Sequence, residues 1–246
     1  MTSRWGYVWG TLVLALLWQV ASWRLGELVL AGPTAVLLRL YAEAHHAKFW
    51  MHVGSSWFRI AVALAISFVA AVPAGLLLGS SRRLDRVARP IIHLTYPVPK
   101  IVFLPIVFII FGLGDAGKIA MLSIILFFQL LITTRDAARS VTRSARYSLY
   151  SLGGSRFDLF RHVIWPSCLP AVFTALRIAT GTVVAVLFFV ESVGTRYGMG
   201  FYILDAWGRA DIQGICVGMV VMALMGVVLY ETFDVLEKTF CRWSQL

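Results

Sequence analysis

The chain has 246 residues, of which 59% are hydrophobic and only 14% are charged, and its mean hydropathy is +0.80. Soluble domains carry about 25% charged residues, so this composition excludes a single core that faces water on all sides and predicts an integral membrane protein. The net charge of +10 does not predict a nucleic-acid partner, because the arginines cluster beside apolar segments, as is typical of membrane topology.

Six apolar segments approach the length of about 20 residues that a helix needs to cross a bilayer. They lie at residues 6–23, 60–79, 90–111, 117–134, 166–190 and 213–230. None alternates in hydrophobicity as a barrel strand does, so we predict an all-α, polytopic membrane bundle of about six helices. A cleaved signal peptide is the alternative for the first segment. That segment is longer than the usual apolar region of about 7–15 residues and contains Trp9 and Trp18, so we expect a retained span.

The positions of lysine and arginine favour one orientation of these spans. With the N-terminus in the cytoplasm, the inner segments hold thirteen of these cations and the outer segments hold seven. The positive-inside bias then places both termini, and the arginine-rich insert at 139–170, in the cytoplasm.

The first outer segment, at 24–55, contains a weakly amphipathic stretch at Val36–Ala44 that predicts an interfacial helix. His45, His46 and His52 also fall in this segment, with no carboxylate or cysteine that completes a metal-ligand spacing. We therefore expect surface histidines and no metal site.

The cytoplasmic insert carries aromatic residues at helical spacing. Tyr147 and Tyr150, and likewise Phe157 and Phe160, are three residues apart, so each pair shares one helix face. Arginines lie between them. This pattern fits a knob that docks into a soluble partner, and it fits equally well a helix that lies on the anionic inner leaflet.

A glycine pair divides this insert into two short predicted helices. Gly153 and Gly154 interrupt the pattern, and Ser155 is the predicted N-cap of the second helix, with Asp158 at the capping-box position. Pro166 is expected to close the element, where the next span begins.

Motifs in several segments resemble one protein family. Gly153 is followed, after nine residues, by Val163-Ile164-Trp165-Pro166, which is similar to the cytoplasmic "EAA" loop of ABC importer permeases. Further matches are Ala31-Gly32-Pro33-Thr34, Gly79-Ser80-Ser81-Arg82-Arg83, Pro97–Pro105 with Phe111-Gly112-Leu113-Gly114, Ser151–Arg156, and Glu191 followed by Gly198-Met199-Gly200. In this order, over most of residues 31–237, they resemble the nitrate/sulfonate/taurine group of binding-protein-dependent permeases.

The resemblance implies one permease transmembrane domain over residues 1–246, in the cytoplasmic inner membrane, with a coupling loop at about 139–165. It implies two ABC ATPase subunits that bind and hydrolyse ATP with Mg²⁺, an extracytoplasmic binding protein, and a second permease copy, which we expect to be identical. The chain itself then binds no cofactor and is not an enzyme. The expected substrate is a sulfonate, taurine, nitrate or a similar small anion, and a pyrimidine-like vitamin precursor is the alternative.

The resemblance also locates the residues expected to bind the ATPase. Tyr147-Ser148-Leu149 stand where the family has Glu-Ala-Ala, so a carboxylate that could pair with the ATPase is replaced by a tyrosine that can pack and donate a hydrogen bond. The coupling residues carried over by position are Tyr147, Ser148, Leu149, Gly153, Gly154, Ser155, Arg156, Phe157, Phe160 and Pro166.

Charged residues and prolines within the spans suggest a translocation path. Lys100 either faces this path or snorkels to the inner interface, whereas Arg177 is expected to face the dimer interior or a paired carboxylate. Glu191, at the outer end of the fifth span, is either a gate or binding-protein contact or an interfacial charge. The prolines break the third helix, and irregular backbone at that depth lines a cavity or is covered by protein. The expected path residues are Pro97, Pro99, Lys100, Pro105, Arg177 and Glu191.

Two rival classes of function remain open at the level of the sequence. A polytopic membrane enzyme would need a reactive cluster at one interface, and the isolated His93 and His162 offer little support for one. A channel would work without any ATPase partner. The sequence contains no nucleotide-binding or hydrolase motif, so ATP hydrolysis is expected on a separate subunit.

Overall fold

The structure is a computed structural model that describes residues 4–245, and in this part of the chain every regular element is helical. The helices are α1 (Arg4–Leu25), α2 (Pro33–Ala44), α3 (Ala47–Ser80), α4 (Arg82–Thr95), α5 (Leu104–Phe111), α6 (Asp115–Ser140), α7 (Arg143–Ser151), α8 (Arg156–Leu159), α9 (Trp165–Glu191), α10 (Met199–Gly208) and α11 (Ile212–Phe240). Two 3₁₀ turns (Lys100–Phe103 and Arg242–Gln245) and one π-helical turn (Phe160–Ile164) complete the described elements. The predicted all-α class is therefore confirmed.

Five helical runs are long and apolar enough to cross a membrane, and a bent helix pair adds a possible sixth span. The five are α1, α3, α6, α11 and the run Arg156–Glu191, which contains α9. The bent pair joins α4 to Lys100–Phe111, with an angle of 81° between them. This agrees with the six predicted spans, and the bend lies where the prolines of the third span predicted a break. Pro97 and Pro99 lack an N–H and disfavour a helical residue before them, so the helix cannot continue through this segment.

The second span begins earlier than the sequence predicts. Its helix, α3, starts at Ala47 instead of residue 60, because Lys48, His52, Ser56 and Arg59 lower the hydropathy of its first turns. Three of these four polar side chains, all except Lys48, are buried and hydrogen-bonded or ion-paired within the protein. His52 is therefore not the surface residue that the sequence predicts, whereas His45 and His46 are exposed.

The chain forms two compact units. The first comprises residues 1–57 and 191–224, and the second comprises residues 58–190 and 225–246. In the first unit, α1 is held by two hydrogen bonds to the turn that follows it. Trp18 Nε1 donates to the Ala31 carbonyl oxygen at 3.0 Å, and Ser22 Oγ donates to that of Leu30 at 2.9 Å. The rest of α1 is largely exposed, as expected of a helix that faces lipid.

The core of the second unit lies between α3, α6 and the run from α8 to α9. Leu76 of α3, Leu130 of α6, Leu159 of α8 and Val172 of α9 belong to one buried cluster. Cys168 is also buried in this cluster as a free thiol. The insert is therefore anchored in the same core as the spans of this unit.

Glycines allow α3 and α6 to pack closely. A Cβ atom added at Gly75 would lie 2.8 Å from the Leu131 carbonyl oxygen, and one at Gly79 would lie 2.3 Å from the Arg135 carbonyl oxygen. Small residues four apart are a frequent device for bringing membrane helices together. This contact was not predicted from the sequence.

An ion-pair cluster joins the first turn of α4 to the C-terminal part of α6. Asp85, in the first turn of α4, is buried and accepts hydrogen bonds from Arg135 and, at 2.7 Å, from Arg139, both on α6. Breaking a buried pair of this kind leaves an uncompensated charge. The cluster therefore fixes the start of α4 against the end of α6.

The close packing of α3 and α6 gives a first prediction. We expect Gly79→Ala to lower the thermal stability of the detergent-solubilised chain, because overpacking of a close contact costs about 1–3 kcal/mol. Gly181→Ala is the matched control, since an added Cβ on this residue of α9 meets no atom within 4 Å. The midpoints of thermal unfolding, followed by tryptophan fluorescence, should separate the two variants. Equal midpoints would contradict the tight contact.

Candidate functional site

The first half of the arginine-rich insert is a helix with a defined cap at each end. Thr142 Oγ1 accepts a hydrogen bond from the Ala145 N–H at 3.3 Å and begins α7. At the other end, the Gly153 N–H donates to the Tyr150 carbonyl at 3.0 Å and the Gly154 N–H donates to that of Leu149 at 3.1 Å. These two bonds form a Schellman motif, in which the residue after the C-cap takes a left-handed conformation.

The two glycines of this turn are required for different reasons. Gly153 has φ +80°, which L residues rarely adopt, but an added side chain would meet open space. At Gly154 the backbone angle is unremarkable, but an added Cβ would lie 2.7 Å from Leu149 Cγ. The predicted glycine turn is therefore confirmed, and both positions of the pair constrain it.

The second half of the insert begins with the capping box predicted from the sequence. The Asp158 N–H donates to Ser155 Oγ at 3.2 Å, and the Ser155 N–H donates to Asp158 Oδ2 at 2.9 Å. Reciprocal bonds of this kind satisfy two of the N–H groups left free at a helix start. An aspartate thus fills the position where glutamate or glutamine is usual.

The predicted end of the insert at Pro166 is wrong. The run Arg156–Glu191 is continuous, and α8 passes into α9 through the π-helical turn Phe160–Ile164. A π turn shifts the hydrogen-bonding register by one residue, so the missing N–H of Pro166 falls just after a register change and does not interrupt the helix. The second half of the insert, from Arg156 onward, is therefore continuous with the fifth span, whereas α7 and the glycine turn precede this run.

Large apolar side chains of the insert remain exposed. Leu152 is 85% exposed, Phe157 66% and Tyr147 65%, and Tyr150 and Phe160 are also exposed. Ser148 and Arg156 are exposed beside them, whereas Leu149 packs partly against the buried core cluster. Exposed apolar groups that are held by capped helices mark an interaction surface. We call Tyr147, Tyr150, Leu152, Phe157 and Phe160 the aromatic surface.

Arg177 is paired with carboxylates of α11. It lies 2.6 Å from Asp234 Oδ1 and 3.0 Å from Glu237 Oε2, and Lys238 also donates to Asp234. The expectation of a paired carboxylate is therefore met. Neither partner was predicted from the sequence, because the predicted sixth span ended at residue 230, whereas α11 continues to Phe240.

Lys100 is the first residue of the 3₁₀ turn after α4, and its side chain reaches back to the C-terminal end of α4. Its Nζ donates to the carbonyl oxygens of Thr95 at 3.4 Å and Tyr96 at 3.3 Å, and it lies 4.7 Å from the centroid of the Phe128 ring. A cation at this position satisfies carbonyl groups that the helix end leaves free and complements the helix dipole. Pro97 and Pro99 lie in the break, and Pro105 lies in the first turn of α5, where its missing N–H is tolerated.

Glu191, the last residue of α9, is fully buried, with 0% exposure, and its carboxylate lies at the N-terminus of α10. Ser56 Oγ lies 2.8 Å from both carboxylate oxygens, and the Gly200 N–H donates to Oε2 at 2.9 Å. The Met199 N–H donates to Ser56 Oγ at 2.8 Å. A carboxylate at a helix N-terminus is stabilised by the free N–H groups and by the helix dipole.

His52 extends the Glu191 network. Its Nδ1 lies 3.1 Å from the Gly198 carbonyl oxygen, and its ring stacks on that of Phe201 at 5.8 Å between centroids. The network therefore fixes the Gly198-Met199-Gly200 turn through side chains of α3. Neither Ser56 nor His52 was singled out as a partner of Glu191 from the sequence.

A cavity of about 520 Å³ lies in the first unit and carries both signs of charge. Arg39, Arg196 and Arg209 line it together with Glu43 and Asp205. Burial, with a smaller effect of the nearby Glu43 carboxylate, raises the pKa of Tyr202 in its wall to about 12. A tyrosine with the ordinary pKa of about 10 is already protonated at neutral pH, so Tyr202 is in any case a neutral polar group in the wall of this cavity.

The network around Glu191 gives a second prediction. Glu191→Ala should lower thermal stability more than Glu191→Gln does, because alanine leaves the Ser56 hydroxyl and the Gly200 N–H without an acceptor. Each buried donor without a partner costs about 1–3 kcal/mol. Glu27→Ala, which changes an exposed carboxylate, is the control and should unfold at the same midpoint temperature as the unmodified chain. A Glu191→Ala variant as stable as that control would disprove the structural role.

Comparison with known proteins identifies the family. The profile of the family described as "Binding-protein-dependent transport system inner membrane component" matches residues 71–242. The taurine transport system permease protein TauC of Escherichia coli (strain K12) is 30% identical over 242 residues, which cover 95% of this chain and 88% of that protein.

A second relative and one solved structure extend the comparison. The formylaminopyrimidine transport permease protein ThiX of Halalkalibacterium halodurans is 25% identical over 235 residues, which cover 95% of this chain and 94% of that protein. A structure of the MetNI methionine ABC transporter in an inward-facing conformation superposes with a TM-score of 0.64 at 19% identity. It covers 77% of this chain and 94% of that chain, and it shows the fold alone.

The family profile covers more than half of the chain, and the taurine permease is similar over nearly its whole length. This protein therefore belongs to the family of binding-protein-dependent ABC importer permeases, which are multi-pass, non-catalytic transport subunits of the inner membrane.

Proposed function

We propose that this chain is the permease subunit of an ATP-driven importer, in which two ABC ATPase subunits bind the aromatic surface from the cytoplasm. The exposure of this surface on two capped, core-anchored helices is the observation that carries the proposal. ATP and Mg²⁺ would bind the ATPase subunits. In this arrangement both termini of the permease face the cytoplasm, as the distribution of lysine and arginine predicts.

Tyr147 stands where the family's pattern has a glutamate, and this replacement changes how the ATPase would bind. A tyrosine that is 65% exposed offers a ring face and a hydroxyl where the family's pattern has a carboxylate. We propose that it binds the ATPase by packing and by one neutral hydrogen bond. The coupling contact would then depend less on salt than an ion pair does.

The continuous helix provides a route for the mechanical step. A displacement of α8 by the ATPase passes through the π-helical turn into α9 without a flexible joint. Leu159 and Ile164, which flank this segment, are both buried in the core with α3 and α6. Further along α9, Arg177 is paired with Asp234 and Glu237 of α11, so a movement of α9 is transmitted to α11.

We propose that this movement opens a central path alternately to the two sides of the membrane. Lys100, with the broken backbone from Pro97 to Pro105, remains the best candidate in the second unit for contact with an anion. The pairing of Arg177 supports a positioning role for that residue, and the burial of Glu191 supports the same for its carboxylate. Two identical permease subunits would enclose the path, within a single transmembrane domain in each.

The similarity to the taurine permease supports a sulfonate, taurine, nitrate or similar small anion as the substrate, delivered by an extracytoplasmic binding protein. A putative aliphatic sulfonates transport permease protein, SsuC of Escherichia coli (strain K12), is also similar, at 26% identity over 234 residues. The formylaminopyrimidine permease, at 25% identity, supports a pyrimidine-like vitamin precursor as the second candidate.

Purification of the tagged chain from its native membrane tests the proposed assembly. We expect an ATPase and a binding protein to copurify, and the ligand of that binding protein to identify the substrate by mass spectrometry. Tyr147→Ala should reduce the recovered ATPase, whereas Tyr41→Ala, which changes an equally exposed tyrosine of α2, should not. A chain that elutes alone after cross-linking would favour a channel or a membrane enzyme.

The left-handed turn of the insert supplies a test of coupling. Gly153→Val should strain the turn by about 1–2 kcal/mol, because a residue with a side chain must adopt φ near +80° there. We expect ATPase activity of the reconstituted complex to continue while substrate uptake falls. Gly26→Val is the matched control, since Gly26 has φ +83° and equally open surroundings but lies after α1. Normal uptake by the Gly153 variant would contradict coupling through this turn.

A further inference from the structure

A cavity lined by arginines lies where α3, α4, α6 and α7 meet, and its volume is about 520 Å³. We call it the arginine cavity. Its six arginines are Arg82, Arg86 and Arg89 on α4, Arg139 on α6, and Arg143 and Arg146 on α7. Asp85 is the only carboxylate in its wall.

The charge of Asp85 is already neutralised by ion pairs within the protein. Its two oxygens accept hydrogen bonds from Arg135 and Arg139. Among the described residues, no carboxylate lies within ion-pairing distance of Arg82, Arg86 or Arg143. Cations gathered in one concave site repel each other and attract anions more strongly than isolated surface charges do.

An apolar groove of about 1150 Å³ adjoins the arginine cavity. Its walls come from the second half of α3, including Phe68 and Val72, and from α7, α8 and the π-helical turn. Tyr150, Phe157 and Phe160 of the aromatic surface belong to this wall, so an occupant of the groove and the proposed ATPase would both contact these three side chains. Ser80 and Arg146 line both the groove and the arginine cavity, so the two spaces share one wall. We call the larger space, of about 1150 Å³, the apolar groove.

The shared wall contains polar atoms that the protein leaves without partners. Ser80 Oγ and Arg146 Nε are both buried and make no hydrogen bond within the described residues, although another nitrogen of Arg146 donates to the Ala138 carbonyl at 3.3 Å. Buried polar groups without partners are uncommon in folded proteins and indicate a missing ligand or water. Both atoms lie at the boundary between a cationic space and an apolar one.

Helix α4 has the residue pattern of a helix at the edge of a membrane. Leu84, Val87, Ile91 and Leu94 form an exposed apolar face, while Arg82, Arg86 and Arg89 line the cavity. A helix with one apolar face and one arginine-rich face is typical of the boundary between lipid headgroups and acyl chains. Basic pockets between helices at this depth recognise anionic lipid headgroups.

We propose that an anionic phospholipid binds here, with its phosphodiester in the arginine cavity and an acyl chain in the apolar groove. A free phosphate or a small transported anion would satisfy the arginines but would leave the groove empty. An acidic protein segment would likewise place no long apolar chain against α3. The joined pair of spaces fits one amphiphile, and the proposal holds whatever substrate the permease carries.

The test compares two lipids on the full chain purified in detergent. Native mass spectrometry should show phosphatidylglycerol binding at least tenfold more tightly than phosphatidylcholine with the same acyl chains. Glycerol phosphate should not displace the bound phosphatidylglycerol at equal concentration. Equal binding of the two lipids would overturn the proposal, and displacement by glycerol phosphate would show a site for small anions instead.

Matched variants locate the lipid within the protein. The triple variant Arg82→Gln, Arg86→Gln and Arg143→Gln should lose most of the preference for phosphatidylglycerol, because it removes three arginines that have no carboxylate partner. The control, Arg24→Gln with Arg83→Gln and Arg242→Gln, removes the same charge from exposed positions outside the cavity. Both variants should elute as monodisperse protein. A preference lost equally in both would indicate a general charge effect and would refute a defined site.

Discussion

The close approach of α3 and α6 determines most of the second unit. Because Gly75 and Gly79 carry no side chains, α3 lies against the backbone of α6 at Leu131 and Arg135. The same turn of α6 presents Arg135 to Asp85, and the next turn presents the Ala138 carbonyl to Arg146 of α7. The close contact of α3 with α6 requires glycine at positions 75 and 79. This contact therefore determines where α4 and the insert lie.

The insert combines a constrained turn with a helix that continues without a break into the fifth span. The Schellman motif and the capping box specify the angle between α7 and α8 through five local hydrogen bonds, which depend only on neighbouring residues. The π-helical turn then extends α8 into α9 as one helical run. Force applied at the aromatic surface is consequently carried by a helix, and not absorbed by a loop.

Local patterns of the sequence predicted local structure well. The spans, the proline break, the glycine turn and the Ser155 cap each depend on residues within a few positions of one another. Partners distant in sequence could not be predicted in this way. Ser56 with Glu191, Arg177 with Asp234, and Gly79 with Arg135 are brought together only by packing of the helices. The predicted boundary at Pro166 was wrong because a proline usually marks the start of a helix. Here the helical run continues through Pro166, directly after a π turn.

The pairing of Arg177 has a consequence for selectivity. With Asp234, Glu237 and Lys238 it forms a quartet of two positive and two negative groups, so the middle of α9 and the end of α11 carry no net charge where they meet. A balanced quartet attracts an approaching anion less strongly than an unpaired arginine does. The presence of an arginine in the fifth span is therefore not by itself evidence that the protein selects anions.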